Sequence, residues 1–598
     1  MKKLANESRK VLIDTARQLG LGRLLNVRRS IARALRPKGQ SAQYKLWRKK
    51  REKEAKSFIK DYQALAANGT LPTINLVMPA ENVPVSLLKA CLDSILDQVY
   101  RHWQLCVIPG DSEVDQWLKE YTARESRVEI VPAENGSIVK TTNTLLERVK
   151  GGYLALVAPR DLLASHALLR VAEQLIVKPD LALVYADEDT IDTECTRSSP
   201  CFKPDWNPDL LMGQNYIGRL AVLKVDLVRK IGGFRESVEG PHEYDLLLRC
   251  IPHLGSDNVA HIPDVLYHRR SAKDAEPLSN RDSKNDAGLR AVTEYLRVNH
   301  SGAKAVKGQV PDSYRVIWPL PEPLPRVSLL IPTRDGVELL KPCVDAILAK
   351  TDYPNMEVII LDNQSRCART LAYFDALATD HRVSVHRWDH PFNYSAINNY
   401  GATLATGDII GLVNNDIEPI NGDWLREMVS QVVRPDIGCV GAKLYYPDGR
   451  IQHAGVILGV GGVAAHSHRF LPGDSAGYCS RLTLVQNLSA VTAACLLVRK
   501  SVFNEVGGLD EEHLAVAFND VDFCLKVREA GYRNLWTPYA QLYHHESATR
   551  GAEDTRAKRE RFLGEVKTMQ ERWGHALSTD PAYNPNLTRQ REDFSLEV

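Results

Sequence analysis

Apolar residues in this chain come in short runs, and two segments of about 230 residues repeat them in the same order. The first segment opens with Ile74-Asn-Leu-Val-Met-Pro79, the second with Val327-Ser-Leu-Leu-Ile-Pro332. Each run ends in proline and gives way to a polar loop. An amphipathic stretch follows that predicts a helix, Leu87–Leu96 or Leu339–Leu348. Next come a second apolar run (Leu105–Ile108 or Val358–Leu361), a helix ending near Gly151 or Gly407, and a third run, Tyr153–Val157 or Ile409–Val413. Strands alternating with helices predict βαβ units in a mostly parallel sheet. Ligands of such sheets bind beyond the carboxyl ends of the strands, so the residues just after each run carry the most functional weight. Late in each half comes a helix with an acidic start, Glu243-Tyr-Asp245 or Asp520-Val-Asp522, and then a Tyr-His pair, Tyr267-His268 or Tyr543-His544.

The pattern divides the chain into a basic helical region (1–70), a first α/β domain (71–300), a proline-rich connector (301–325), a second α/β domain (326–550) and a tail (551–598). Pro319 to Pro325 is stiff and extended. The tail predicts a charged helix through about Trp573 and a turn-rich end, Asp580 to Asn586.

Composition narrows the class. The 598 residues are 44% hydrophobic and 25% charged, an ordinary globular balance in a chain too long for one core. The net charge of +2 hides an asymmetry, because residues 1–60 hold 19 Lys and Arg against 4 Asp and Glu. No apolar run approaches the ~20 residues that span a bilayer. No apolar h-region follows Lys2 and Lys3, which predicts no secretory leader. The 11 cysteines are scattered without a C-x-x-C pair and read as reduced thiols of a cytosolic protein.

The candidate chemistry gathers in the second half. Its second strand ends Ile360-Leu361-Asp362-Asn363, and a strand-end carboxylate can accept hydrogen bonds from a base or ribose, or simply form an Asx-turn. Its third strand ends Leu412-Val413-Asn414-Asn415-Asp416-Ile417-Glu418, where clustered oxygen donors suit a hard divalent cation that also holds phosphates. Asn398-Asn399, a helix start at Asp520 and His544 complete an ordered set.

On VSLLIPTRDG (327–336), FNYSAINNYGA (392–402), NNDIEP (414–419), GAKLYYPDGRIQHAG (441–455) and FNDVDFCLKVREAGYRNLWTPYAQLYHHESATRG (518–551), the sequence resembles bacterial glycosyltransferase family 2. It is similar to the tandem two-domain, rhamnosyltransferase-like members that build surface polysaccharides such as O-antigen, and the resemblance covers roughly residues 73–590. It implies two tandem GT-A domains, the Rossmann-like α/β fold of nucleotide-diphospho-sugar transferases, behind a helical basic N-terminal region. It implies a donor pocket of Pro332, Thr333, Asp335, Asp362, Asn398, Asn399, Asn414 and Asn415, with Asp362 at the base. Asp416 and His544 would hold Mg or Mn, and Asp520 would be the catalytic base. The family pattern has Glu-Asp at 519–520; Asn519 here leaves the neighbouring acid's role open. The chemistry fits these residue types. A cation offsets charge on a departing diphosphate, and a carboxylate must take the acceptor hydroxyl's proton. One base without a protein nucleophile predicts direct displacement with inversion.

The first half reads as a worn copy. Matching Leu156-Val157 with Leu412-Val413 sets Arg160 opposite Asp416 and Pro109-Gly110 opposite Asp362-Asn363, so metal and base-contact positions are lost. A guanidinium cannot ligate a cation, although it could replace one. Tyr185-Ala-Asp-Glu-Asp189, Phe202-Lys-Pro-Asp-Trp-Asn-Pro208 and His242-Glu-Tyr-Asp245 persist, which predicts a retained fold for acceptor binding or domain packing. The N-terminus interleaves Leu and Ile with Arg over Val11–Leu25 and Ile31–Leu35, as a solvated helix or an interfacial helix on an anionic membrane does. No nucleic-acid module accompanies the charge. The partners expected are a nucleotide-diphosphate sugar, a glycan or lipid-linked glycan acceptor, and an anionic membrane surface for residues 1–60, placing the protein in the cytoplasm, peripheral on the inner face of the plasma membrane. Two rivals stay open: a bifunctional transferase with two sites, and a non-catalytic glycan-binding scaffold.

Overall fold

The computed structural model describes residues 40–66, 71–110, 112–134, 137–149, 151–236, 242–271, 279–545 and 555–597. Each half is built on one mixed sheet. In the second half the strand order is Val383–Arg387, Met356–Asp362, Val327–Thr333, Ile409–Val413, Cys495–Arg499, Ile437–Tyr445, Arg533–His544, Ile417–Pro419. The first half repeats it: Val128–Ile130, Trp103–Pro109, Ile74–Ala80, Tyr153–Leu156, Val222–Lys224, Leu183–Ile191, Val259–Arg270, Leu162–Leu163. The expected doubling of an α/β unit is therefore observed, although the sheet is parallel only in its first four strands. Cys495–Arg499 runs against Ile409–Val413, and Ile437–Tyr445 runs against Cys495–Arg499. Arg533–His544 then lies parallel to Ile437–Tyr445. Six strands of the second sheet thus bring their carboxyl ends to one edge, including the strand that ends at His544.

The apolar runs become strands because both faces of the sheet are covered. Val327–Thr333 and Ile409–Val413 are buried throughout, as continuous runs in a helix-covered parallel sheet must be. The two-residue period sorts their side chains. Leu330, Ile359, Leu361, Ile410 and Leu412 pack with Ile397 of helix Tyr394–Leu404. Leu329, Ile331, Val358, Ile360, Ile409 and Val413 pack with Leu340, Val344 and Ile347 of helix Val337–Lys350. Gly411 interrupts the run because a Cβ there would stand 2.6 Å from Leu329 Cδ2.

Residues 63–595 form one compact unit. The predicted connector is more than a spacer: Lys304–Lys307 and Tyr314–Ile317 pair as an antiparallel ribbon, and Tyr314 and Val316 join the first domain's core. The signature residues kept in the first half pack the two domains together. Asn207 Nδ2 donates to Asn487 O at 2.8 Å and Asn207 Oδ1 accepts from Asn487 N at 3.0 Å. Buried Asp209 pairs with Arg434 at 2.6 Å and Arg533 at 3.1 Å. Asn584, from the turn-rich end, donates to Asp187 at 2.9 Å. The charged tail helix runs Arg556–Ser578. By itself, helix Gln40–Ala66 is strongly basic; Val11–Leu25 and Ile31–Leu35 lie outside the described residues. No helix among the described residues is long and apolar enough to cross a membrane.

Candidate active site

The carboxyl edge of the second sheet gathers most of the polar side chains singled out from the sequence. Ile417–Pro419 pairs antiparallel with the end of Arg533–His544, with Ile417 opposite His544, and His545 N donates to Asp416 O at 3.0 Å. That pairing sets Asp416 beside His544 although they lie 128 residues apart (544 − 416). Asp416 Oδ1 stands 3.3 Å from His544 Nε2, and both residues are buried. Asn414 Nδ2 lies 3.4 Å from the same ring nitrogen, and Asn414 Oδ1 accepts from Tyr394 Oη at 3.3 Å. Asn415 Nδ2 donates to Thr333 Oγ1 at 3.0 Å, tying the third strand's end to the first.

Asp416 Oδ1 is buried and receives no hydrogen bond. A buried acceptor without a donor is costly, and a neighbouring imidazole nitrogen makes it half of a ligand pair. The fit to a divalent cation is good: carboxylate and imidazole supply two positions, and Mg-type sites leave the others to water and substrate phosphates. Among the described residues no group of three His, Cys, Asp or Glu side chains could hold a metal. A cation here would therefore depend on its substrate's oxygens.

Asp520 lies in the first turn of helix Asn519–Glu529, half-buried. Its Oδ2 accepts from Ala493 N at 3.1 Å, across to the loop before Cys495–Arg499. The neighbouring backbone joins the same edge, with Tyr394 Oη donating to Ala493 O at 3.1 Å and Asn414 N to Ala494 O at 3.0 Å. Its Oδ1 accepts from Val521 N at 2.9 Å in the helix's first turn, so the carboxylate is anchored both to its own helix start and toward the Asp416 strand.

The remaining predicted donor residues divide. Pro332 and Thr333 end the first strand, with Thr333 opposite Asp362. Asp362 accepts from Ser365 N at 2.9 Å and pairs with Arg387 Nη1 at 2.6 Å. Asp335, at a left-handed φ of 50°, accepts from Arg366 N and Cys367 N at 2.8 and 2.7 Å, which depress its carboxyl below the usual range. Its observed work is to clamp two strand-end loops together. Asn398 is fully buried, with Nδ2 donating to Tyr394 O at 2.8 Å. Asn399 faces the loop before the Asp520 helix, exchanging bonds with Leu509 N and O at 2.9 Å each. Sequence reasoning missed Arg387, Tyr394 and the Ala493 amide. Arg387 ends a short alternating stretch, Val383-Ser-Val-His386, and was open to recognition; the other two become visible only through pairing.

The first domain fills the corresponding place differently. Val77 pairs with Leu156 as Leu330 pairs with Leu412, which supports the alignment up to that point. Beyond it, Leu162 opposes His268 as Ile417 opposes His544. Five residues (157–161) therefore span the gap that four (413–416) span in the second domain. The extra residue shifts the match, so Asp161, not Arg160, takes the Asp416 position. Asp161 is fully engaged, accepting from Tyr267 Oη at 3.0 Å and Arg270 N at 2.9 Å. His268 turns to Asp189 at 2.6 Å, and Arg160 bonds Asn82 O. Glu243, second in its helix like Asp520, pairs with Arg219. Lys224 opposes Tyr153 as Arg499 opposes Ile409, so Arg219 and Ala494, each five residues earlier, correspond. Burial lifts the Glu243 carboxyl above its usual range, against the pull of Arg219.

Each half thus presents an α/β sheet with carboxylates crowded at its carboxyl edge, and among the described residues only the second leaves one of them, Asp416 Oδ1, beside an imidazole without a donor. Residues 328–507, within the second domain, match the model of Glycosyl transferase family 2. The chain is 48% identical over 533 residues to the uncharacterized protein y4gI of Sinorhizobium fredii, covering 88% of this chain and 58% of that protein. It is 36% identical over 541 residues to the O-antigen biosynthesis protein RfbC of Myxococcus xanthus, covering 89% and 42%. The chain thus spans about half the length of these relatives. Among solved structures, it is similar to a mannosyltransferase from Pyrobaculum calidifontis in complex with GDP-Man and Mn2+. That likeness is distant, at 19% identity and TM-score 0.32, covering 43% of this chain and 68% of the other.

Proposed function

We propose that the second domain moves a glycosyl group from a nucleotide-diphosphate sugar to a hydroxyl of a growing surface glycan, with inversion. The observation that carries this reading is the buried Asp416–His544 pair, 3.3 Å apart, on the edge where Asp520 is anchored. Asp416 and His544 would hold Mg or Mn. When bound, the cation offsets charge on the leaving diphosphate. Asn414 orients the His544 ring, Asn415 and Thr333 fix the strand ends under the donor, and the Asp362–Arg387 pair faces the base. Asp520, steadied by the Ala493 amide, takes the proton of the attacking hydroxyl as the new bond forms. No protein nucleophile is invoked, so the anomeric carbon inverts. The RfbC relative's printed role supports an O-antigen type of acceptor, and the sequence resemblance favours rhamnose as the sugar.

The first domain, in this reading, transfers nothing, because Arg219 neutralises Glu243 and Asp161 is consumed by Tyr267 and Arg270. Residues 1–60 bring the enzyme to the anionic inner face of the membrane. The test is calorimetry of the full chain against a panel of nucleotide sugars, with and without Mg or Mn, followed by product analysis. Metal-dependent binding of one donor supports the proposal; no binding of any donor refutes it. Transfer that survives Asp416→Ala but is lost in Glu243→Gln would move the activity to the first domain.

A further inference from the structure

The Asp520 helix is held by an element outside the family-matched residues. Loop 509–518 leads into it and ends at Phe518, whose φ of 59° is a strained value for a bulky residue. Such a conformation persists only where its surroundings over-determine it. Here they come largely from one helix, Arg556–Ser578. Glu565, buried in that helix, uses Oε1 to accept from Val516 N at 2.8 Å and Ala517 N at 3.1 Å. Arg572 bridges two carboxylates, with Nη2 to Asp510 at 2.8 Å and Nη1 to Asp522 at 2.7 Å. Trp573 Nε1 donates to the same Asp522 oxygen at 2.8 Å. Met569 and Trp573 share the core that contains Val521 and Phe523.

Glu565, Met569, Arg572 and Trp573 are spaced i, i+4, i+7, i+8, one face of a helix. That single face fixes the start of the loop, its last residues and the first turn beyond. Asp522 is fully buried and points to the tail helix, while Asp520, two residues earlier, points to Ala493. A helix that only covered apolar surface would have no use for a buried carboxylate, which loses hydration on burial, or for a guanidinium held to two carboxylates. Their partners are the amides and carboxylates that set the direction of the Asp520 helix.

We infer that helix Arg556–Ser578 is the positioning element for Asp520, with Arg572 and Glu565 as its positioning residues. The inference rests on the reading of Asp520 as the base. Losing the Arg572 bridge leaves buried Asp522 with Lys526 at 3.7 Å and Trp573, unties it from Asp510, and lets the helix turn away from the edge. A shift of ~1 Å in a reacting group can cost on the order of 100-fold in rate.

The experiment uses full-length Arg572→Ala, Arg572→Lys and Glu565→Ala with the donor found by the calorimetric screen. Arg572→Ala should lower kcat by roughly 10–100-fold while donor affinity stays within about 2-fold. Arg572→Lys should recover part of the loss, and added guanidinium should raise kcat of Arg572→Ala but not of wild type. In hydrogen exchange, the Val516 and Ala517 amides should open faster in Glu565→Ala. Should Arg572→Ala unfold, Glu565→Ala reads the same split between kcat and affinity, and Glu565→Gln, which keeps an acceptor for the two amides, should recover most of the loss. A kcat within 2-fold of wild type in the folded alanine variants, or kcat and donor affinity falling together, overturns the inference. A wild-type chain that binds no nucleotide sugar overturns the proposed function first. One that binds a donor and turns over, with Asp520→Asn near wild type, overturns the base assignment and this inference with it.

Discussion

Replacing Asp520 by asparagine separates chemistry from architecture at this site. Asp520 Oδ2 accepts from Ala493 N at 3.1 Å and Oδ1 from Val521 N at 2.9 Å; an asparagine Oδ1 can keep one of these bonds. The side chain is half-buried and fills no core position, so the fold should lose no more than the ~1 kcal/mol of one hydrogen bond. The Asp416–His544 pair does not contact it, so metal-dependent nucleotide binding should stay within about 2-fold of wild type. An amide cannot take a proton from the acceptor. The contribution lost is that of general-base catalysis, roughly 10²–10⁴-fold in kcat, or about 2.7–5.4 kcal/mol at ~1.36 kcal/mol per decade. Calorimetry gives the binding arm and steady-state turnover gives kcat; their divergence marks an interaction made only in the transition state. A kcat within a few-fold of wild type would refute the assignment. Asp522 could not inherit the role, because Arg572 and Trp573 enclose it.

Four further outcomes are expected. Asp416→Ala should abolish metal-dependent nucleotide binding and Asp161→Ala should leave it unchanged; the reverse result in calorimetry would show that the first domain holds the donor. Asp209→Ala leaves Arg434 and Arg533 of the second domain without their partner across the interface, only Asp436 remaining to them, and should cost about 3 kcal/mol, read as a lower denaturant midpoint; a loss under ~1 kcal/mol would remove Asp209 from its structural role. Burial works to lower the His261 imidazole, but Asp187 at 2.9 Å and Asp205 at 3.0 Å raise it from 6.5 to about 9. A raised folded pKa stabilises fully below the unfolded value and loses that effect as pH rises through the folded one. Wild type should therefore lose its Tm advantage over His261→Gln between pH 6.5 and about 9, and a constant difference would contradict the pairing. Deleting residues 1–60, with their excess of 15 positive charges (19 − 4), should weaken flotation with anionic liposomes in a salt-sensitive way; unchanged flotation would dismiss the membrane role.

Much of the second domain was legible because its strands are buried on both faces. Ile409–Val413 was delimited to the residue, since an apolar run bounded by Asp408 and Asn414 leaves no choice of ends. The other boundaries slipped by one or two residues, as at Met356–Asp362 for the predicted Val358–Leu361, because half-polar strand ends interrupt the run without breaking the pairing. The antiparallel insertion of Cys495–Arg499 was not legible: strand direction depends on the connection, and period-two patterning carries no sign of it. The same blindness misplaced Arg160. One extra residue between Leu156 and Leu162 is invisible until Val259–Arg270 fixes the far register. Arg219 was missed for a related reason, since only sheet pairing sets it opposite Ala494. Asp416 and His544 were found because each falls at a strand's carboxyl end, where neighbouring strands bring their side chains together.

The two domains solve one electrostatic problem in different ways, and the difference underlies the proposal that the second one transfers the sugar. Each sheet crowds carboxylates at its carboxyl edge, and a buried carboxylate needs a countercharge. In the first domain that charge is covalently fixed. Arg219 sits on Glu243, Arg269 and Lys203 on Glu188, and Arg197 on Asp189. Burial works to raise Glu188, yet its cationic neighbours hold it down at about 2. A guanidinium tethered at this spot neutralises the edge without any ligand. In the second domain Ala494 stands where Arg219 would, and Asp416 Oδ1 receives no hydrogen bond. The proposed cation, arriving with a substrate's oxygens, would supply the countercharge there. Removing the first domain's arginines one at a time should therefore destabilise it without creating activity, because the charge they neutralise would remain buried and unpaired.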